Sequence, residues 1–561
     1  MSAASDKLAI DFMENEKQFH LGFLPTEQSN PLTDNLDAIF ARSAGEGVKT
    51  LQRVDRNVLA MAKRVFASAQ FKKLVADGIA TIQNGGRIVF SGCGATGRLS
   101  ILLECMWRRF CAAEPAAAGL ADHVFSIMTG GDYALVRSVE FFEDFQSFGR
   151  RQVDELKLNG KDMLVAITEG GETSSVLGTV FESVERGLKV FLMFNNPAEL
   201  LAEHLERSRK AIRDPKVCVL DLSCGSMALA GSTRMQATTS EQLIAGGALE
   251  TIMCGLTGKA PRDYAQEFER LLDQLENAEA RQTIADYILF EAGIYRQRGL
   301  LTYFSGEYLL DIFTDTTERS PTFMLPPFRK NDDKVSPQSW TFVKNPVLST
   351  QEVWQKGMNR PLRCLNWSVD DYLALGAPEK VRTNPPKIQS AELLKFEVGY
   401  ENPEIRAATG KDAAVLVSTG SPDDLAVSSA YDKITGAFAF RKELAIGGRK
   451  NADWYVPCEQ QEAPLHLMTH MAVKLVLNTV STGVMTVLGR VTGNWMSWVD
   501  VSNKKLIDRA VRLIAEIGKI SYEESCKRLF AAVEELEPKQ KLSDEKVSYV
   551  QYVLDNLKQN R

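Results

Sequence analysis

The turn SGCGATGRL (91–99) sets Gly92, Gly94 and Gly97 between an apolar run, RIVF, and the start of a helix. Glycines at a strand-to-helix turn let backbone N–H groups crowd an anion, and the helix N-terminus adds a favourable dipole. Thr96 contributes a hydroxyl just before the helix, which suits a compact phosphate. The spacing also satisfies G-x-G-x-x-G, but a dinucleotide site wants an acidic residue about 20 positions on, and Asp132 lies about twice that distance away. No cofactor is therefore expected. A second turn of the same build, ITEGGETSSV (167–176), brings Thr168, Thr173, Ser174 and Ser175 to the end of another apolar run, with Gly170 and Gly171 giving backbone access. Glu169 and Glu172 make this turn acidic, and a carboxylate in a first helical turn suits the dipole.

Two further stretches carry cations that an anion can use. AGSTRMQATTSEQL (230–243) enters a helix at Arg234, and the apolar helix HMAVKLVLNTVSTGVMTVLGRVTGNWM (470–496) holds Lys474 as its single cation before Arg490. A lysine on such a face either snorkels or points at an anion. His466 and His470 stand one turn apart without the Glu of H-E-x-x-H or an evident third ligand, so no metal is expected. No Ser-His-Asp order or nucleophile elbow occurs, which leaves carboxylates as the acid–base groups.

The elements that must position these residues follow from the apolar pattern. RIVFSG (87–92), HVFSIM (123–128), DMLVAIT (162–168), KVFLMF (189–194) and VCVLDL (217–222) are short strand-like runs separated by helical stretches. Such crossovers require a parallel sheet covered on both faces. The alternation restarts with LLTYFSG (300–306), RCLNWSV (363–369), LLKFEVGY (393–400) and AAVLVSTG (413–420), with longer, proline-richer loops, which suggests an internal duplication. Residues 1–32 read as an extended arm, 34–83 as a helix pair, 262–297 as helical throughout, and the chain after about 503 as a helical cap, with Ser521–Glu524 as a capping box.

At 561 residues, with 44% apolar and 25% charged, the chain reads as a folded multidomain protein. Its net charge of −6 supplies no positive field for nucleic acid, and no segment is apolar enough to span a membrane. Nine cysteines without a C-x-x-C pair, and an acidic N-terminus, fit a reducing cytoplasm rather than export.

LPTEQSN, SGCGATGRL, GGDYALVRSVEFFED, ITEGGETSSV, GSTRMQATTSEQL and KLVLNTVSTGVMTVLGRVTGNWM resemble, in order, blocks of N-acetylmuramic acid 6-phosphate etherase and of its double-length relative, glucokinase regulatory protein, both of the sugar isomerase (SIS) fold. The likeness covers most of 24–256 and 300–535, and the length is closer to the regulatory protein. It implies two tandem SIS domains, each a three-layer α/β/α sandwich with a parallel sheet, and a C-terminal helical cap. The expected boundaries are an arm at 1–45, domain one at 46–261, a helical bridge at 262–298, domain two at 299–502 and the cap at 503–561.

The same resemblance puts a phosphate cradle at Gly94, Thr96, Gly97, Thr168, Glu169, Gly170, Gly171 and Thr173. The family's two glutamates fall on Glu143 and, in FSGEYLLDIFTDTTERSPTF of the second repeat, on Glu318. The position equivalent to Glu318 in the first repeat is Met106, with Glu104 two residues off, and the position equivalent to Lys474 is Gln242. One repeat keeps the cradle and the other keeps the second carboxylate and the lysine, which implies a single composite site between the halves. The implied ligand is a 6-phosphosugar. The implied activity is cleavage of the D-lactyl ether of N-acetylmuramic acid 6-phosphate by a carboxylate pair, Glu143 and Glu318. The alternative is a non-catalytic sensor of fructose 6-phosphate type that regulates a sugar kinase such as glucokinase. An aldose–ketose isomerase is disfavoured, because no histidine lies in a matched motif to open a sugar ring.

Overall fold

The computed structural model describes residues 3–139, 141–459, 462–501, 503–540 and 546–559. In the first half, strands β1 (Ile88–Gly92), β2 (Val124–Met128), β3 (Met163–Ile167), β4 (Lys189–Phe194) and β5 (Val217–Asp221) form a parallel sheet in the order β2-β1-β3-β4-β5. Every residue of β1 and β3 is buried, as expected of strands covered by helices on both faces. The second half builds β6 (Leu301–Phe304), β7 (Thr341–Lys344), β8 (Ala413–Ser418), β9 (Phe440–Ile446) and β10 (Trp454–Val456) into a parallel sheet ordered β10-β9-β8-β6-β7. Read from its other edge, this is the same order as the first sheet, so the duplication is present in topology.

The glycine turn after β1 works by close approach. A Cβ on Gly92 would lie 2.4 Å from the backbone of Thr96, and one on Gly97 would lie 2.8 Å from Met128 Cγ. Gly94 sits at φ +56° and opens the helix Gly94–Ala113. β1 and β3 are neighbours, with Ile88 beside Met163 and Ser91 beside Ala166, so their two turns emerge side by side at the carboxyl edge where strand order reverses.

The halves share one hydrophobic core. It runs through the long helices Ala44–Ala67, Gln236–Thr257, Ala278–Arg296 and Leu467–Val487. Several expectations need correction. The arm begins as a helix, Ala3–Asn15, whose Ala9 and Phe12 are buried in a core shared with Leu529 and Ala532 of the cap helix Tyr522–Gln540, and Cys526 Sγ donates to Ala9 O. Residues 34–83 form three helices, broken where Ser43 and Ser68 cap the next. The bridge is two helices, Tyr264–Leu275 and Ala278–Arg296, with Asn277 capping the second. RCLNWSV and LLKFEVGY are not strands of the sheet. Leu393, Phe396 and Val398 are buried, and the segment bonds to the loop after β7 rather than to a strand, with Asn345 N donating to Val398 O at 2.7 Å and Tyr400 N to Leu348 O at 3.0 Å, while Lys344 Nζ takes the carbonyls of Glu397, Gly399 and Glu401. β7, β9 and β10 lie in segments not read as strands.

Candidate functional site

The β1 and β3 turns line one cleft, and Glu318 reaches it from the second half. Glu318 stands on the helix Leu309–Phe323, which follows β6 just as Gly94–Ala113 follows β1, and the two helices pack together. A Cβ on Gly94 would lie 4.0 Å from Glu318 Oε1, so the carboxylate of one repeat sits at the glycine turn of the other. Arg98 Nη1 donates to Glu318 Oε1, while its other N–H groups bind the carbonyls of Ala134 and Leu135. The buried guanidinium thus ties the second-half carboxylate to the first-half turn. Arg98 was not singled out in the sequence, although it stands next to Gly97 of the cradle.

Three carboxylates meet here. Glu143, on the segment Phe142–Asp144, accepts from Asn503 Nδ2 at 2.7 Å. Glu169 keeps a partial opening to the cleft, yet enough protein surrounds it that burial pushes its carboxyl up to about 7; Lys505 opposes that rise, while Glu318 and Glu143 add to it. Glu169 is therefore close to half-protonated at neutral pH. The charges of Glu143 and Glu169 also reach Cys93, whose thiol is pushed up chiefly by burial.

The cation of the cleft is Lys505, which sequence reasoning missed. Its Nζ donates to Glu172 Oε1 at 3.0 Å, and the ammonium is held protonated above the usual lysine range, with burial outweighed by Glu172 and then Glu27. Glu172, bound also by Arg207 at 2.9 Å, falls to about 2 because these cations outweigh its burial. Glu172 thus anchors the cap rather than facing the cleft as a bare charge. A signal was available: Lys504 and Lys505 open a helix capped by Asn503, where the dipole disfavours cations unless anions lie close by.

The hydroxyls are less free than the motifs imply. Thr96 Oγ1 accepts from Cys93 N at 3.0 Å and donates to Cys93 O at 2.8 Å, closing the turn on itself. Thr168 and Thr173 bond each other at 3.0 Å, and Ser175 pairs with Thr129 at 2.9 Å. Gly170 and Gly171 shape the β3 turn, Gly171 at φ +78°, and their carbonyls are held by Asn196 and Ser208. What remains for a ligand is the backbone at two helix starts, the half-exposed Thr173 and Ser174, and Lys505.

Lys474 does not reach the cradle. Its Nζ donates to Arg234 O and Thr239 Oγ1, each at 3.0 Å, and to Asn478 Oδ1 at 2.7 Å. Burial, then the neighbouring Arg234, lowers it to about 7. Arg234 itself is locked to Asp315 at 2.9 Å and to Ser481 and Thr482. Both cations join the halves behind the site. Glu104 is also structural, bound by Ser126, Arg108, Arg360 and Arg363. His470 Nδ1 lies 2.8 Å from Asp311.

Residues 70–183 match the glucokinase regulatory protein N-terminal SIS domain. The chain is 29% identical over 234 residues to N-acetylmuramic acid 6-phosphate etherase 1 of Bacillus licheniformis, a match covering 41% of this chain and 68% of that protein. It is 31% identical over 222 residues to the etherase of Actinobacillus pleuropneumoniae serotype 7, covering 39% and 65%. Among solved structures, tagatose-6-phosphate ketose/aldose isomerase from Escherichia coli superposes with a TM-score of 0.45 at 9% identity, over 80% of this chain and 94% of that one. The resemblance read from the motifs is borne out by the domain match and the etherase relatives. No described helix is long and apolar enough to cross a membrane.

Proposed function

We propose that this SIS-fold chain is a carbon–oxygen lyase that binds a 6-phosphosugar in the single cleft between its halves and cleaves the D-lactyl ether of N-acetylmuramic acid 6-phosphate. The observation that carries the reading is Glu318 of the second half standing at the Gly94 turn of the first, beside Glu143 and Glu169. The etherase relatives supply the substrate class.

In this reading the backbone N–H groups at the two helix starts and the Lys505 ammonium receive the phosphate. That contact orients C2 and C3 of the open-chain sugar against the carboxylates. A carboxylate removes the C2 proton, which the neighbouring aldehyde acidifies. The C2–H electron pair forms the C2–C3 double bond as the C3–O bond breaks, and a protonated carboxyl delivers its proton to the departing ether oxygen, releasing D-lactate. Glu143 and Glu318 are assigned to this exchange. Arg98 holds the Glu318 carboxylate in place, and Glu169, whose carboxyl titrates near neutrality, keeps a proton within the cleft.

The test is to incubate the protein with N-acetylmuramic acid 6-phosphate and assay D-lactate. Release that is lost in Glu318→Gln supports the lyase. The match to the regulatory protein's domain makes binding without turnover the reading selected by absent lactate together with thermal stabilisation by fructose 6-phosphate. Control of a sugar kinase would belong to that second reading.

A further inference from the structure

A cavity of about 420 Å3 lies on the far side of the helix that carries Glu318. Thr316 and Ser320 of that helix line it, one turn apart, and Glu318 falls midway between them in sequence. At about 100° per residue Glu318 therefore points roughly 200° away, into the cleft already described. The other walls are Val136–Ser138, the proline-rich run from Met324 to Arg329, Ser336, Pro337, Ser339–Thr341, Arg490, Asp500 and the cap residues Leu506 and Lys546.

The lining is strongly basic. Among the described residues it holds Arg137, Arg319, Arg329, Arg490 and Lys546 against one carboxylate, Asp500. Arg319 is neutralised by Glu291 and Asp315, and Lys546 by Asp500 at 3.2 Å. Arg137 and Arg329 are half-buried and form no ion pair among the described residues; Arg329 Nη1 donates only to the Ser336 carbonyl, at 2.8 Å. Ser339 Oγ is buried in the same wall with no hydrogen-bond partner among the described residues. Asp333 feels the charge of Arg329 without contacting it as an ion pair, and guanidiniums lacking such a partner beside a cavity match phosphate or carboxylate geometry. Leu325, Pro326, Pro327 and Phe328 give the cavity an apolar floor for the body of an organic ligand, and its volume lies in the range of small-molecule sites.

We propose that this cavity is a second binding site, for a phosphorylated small molecule. Its phosphate is held by Arg137 and Arg329 and its body rests on the Pro326–Phe328 wall. Because the cavity and the cleft lie on opposite sides of one helix, its occupant bears directly on the element that positions Glu318.

The test uses the full chain and phenyl phosphate, a phosphomonoester with a flat apolar body, titrated by calorimetry into the wild type, Arg137→Gln/Arg329→Gln and Lys505→Met. Both arginines are partly exposed, and an unchanged melting temperature certifies the double variant. The proposal expects the double variant to bind phenyl phosphate about tenfold or more weakly at one site, and that site to persist in Lys505→Met, where any loss falls on the cleft alone. Equal affinity in the wild type and the double variant, weakening confined to Lys505→Met, or no binding by the wild type overturns it. No arm depends on D-lactate release, so the cavity and the lyase reading fail separately.

Discussion

The two repeats bring the same turn to the same place in their sheets and use it oppositely. In the first, the β1 and β3 turns open onto a cleft with free helix starts and the Lys505 ammonium. In the second, Glu307 follows β6 and extends across the corresponding gap: Arg109 Nη1 donates to its Oε1 at 3.0 Å, and Ser421 Oγ, beyond the end of β8, donates to its Oε2 at 2.6 Å. The Asp424 carboxylate takes the Thr419 and Gly420 N–H groups at the head of the next helix. A carboxylate of the chain thus satisfies the donors that a ligand anion would meet. The duplicated turn keeps its attraction for anions, and whether a ligand can use it depends on whether the protein supplies its own.

The largest expected effect separates the two glutamates that follow β6. Glu318→Gln lowers D-lactate release by about a thousandfold while phosphosugar-induced thermal stabilisation persists, as loss of an acid–base group does. Glu307→Gln leaves release unchanged, and steady-state assays of both variants check the pair. Next in size, Lys505→Met weakens phosphosugar binding about tenfold or more by calorimetry, because it removes a charge-assisted contact to phosphate.

A smaller effect is the pH dependence set by Glu169. Its carboxyl rises from 4.5 to about 7 on folding, so the folded protein holds this proton more tightly than the unfolded chain. Stability from this group is intact below about pH 4.5, falls as pH rises to about 7 and is flat beyond. Glu169→Gln mimics the protonated form. Its melting temperature should exceed that of the wild type by a margin that grows through this window, measured by thermal denaturation at stepped pH; a constant margin would place the titration elsewhere. Smallest is Arg109→Met, which breaks a partly exposed pair in the filled turn and should cost about 1 kcal/mol or less in chemical denaturation, with release unchanged.

Much of this comparison was legible in the sequence. The strands of the first sheet are unbroken apolar runs followed by glycine turns, so β1, β3 and the cradle could be placed from pattern alone. Glu318 was found through its motif, and the asymmetry between the repeats through Met106 and Gln242 standing where the second repeat has Glu318 and Lys474. The second sheet was less readable: β7, β9 and β10 are short or partly exposed, while the apolar segment 393–400 is buried but bonds to the loop after β7 instead of joining the sheet. Polar roles misled where local hydrogen bonds win. Thr96 closes its own turn, and Lys474 is held by Arg234 O, Thr239 and Asn478. Lys505 lies more than 300 residues from the turns it serves, and only tertiary structure joins them.

The central claim is that one chain holds one phosphosugar, gripped by the first repeat and reached by a carboxylate of the second. Calorimetric titration of N-acetylmuramic acid 6-phosphate into the turnover-deficient Glu318→Gln protein measures this directly. Affinity reduced by adding Lys505→Met and untouched by adding Glu307→Gln is the predicted result. Binding that vanishes with Glu307 and survives the loss of Lys505 would contradict it.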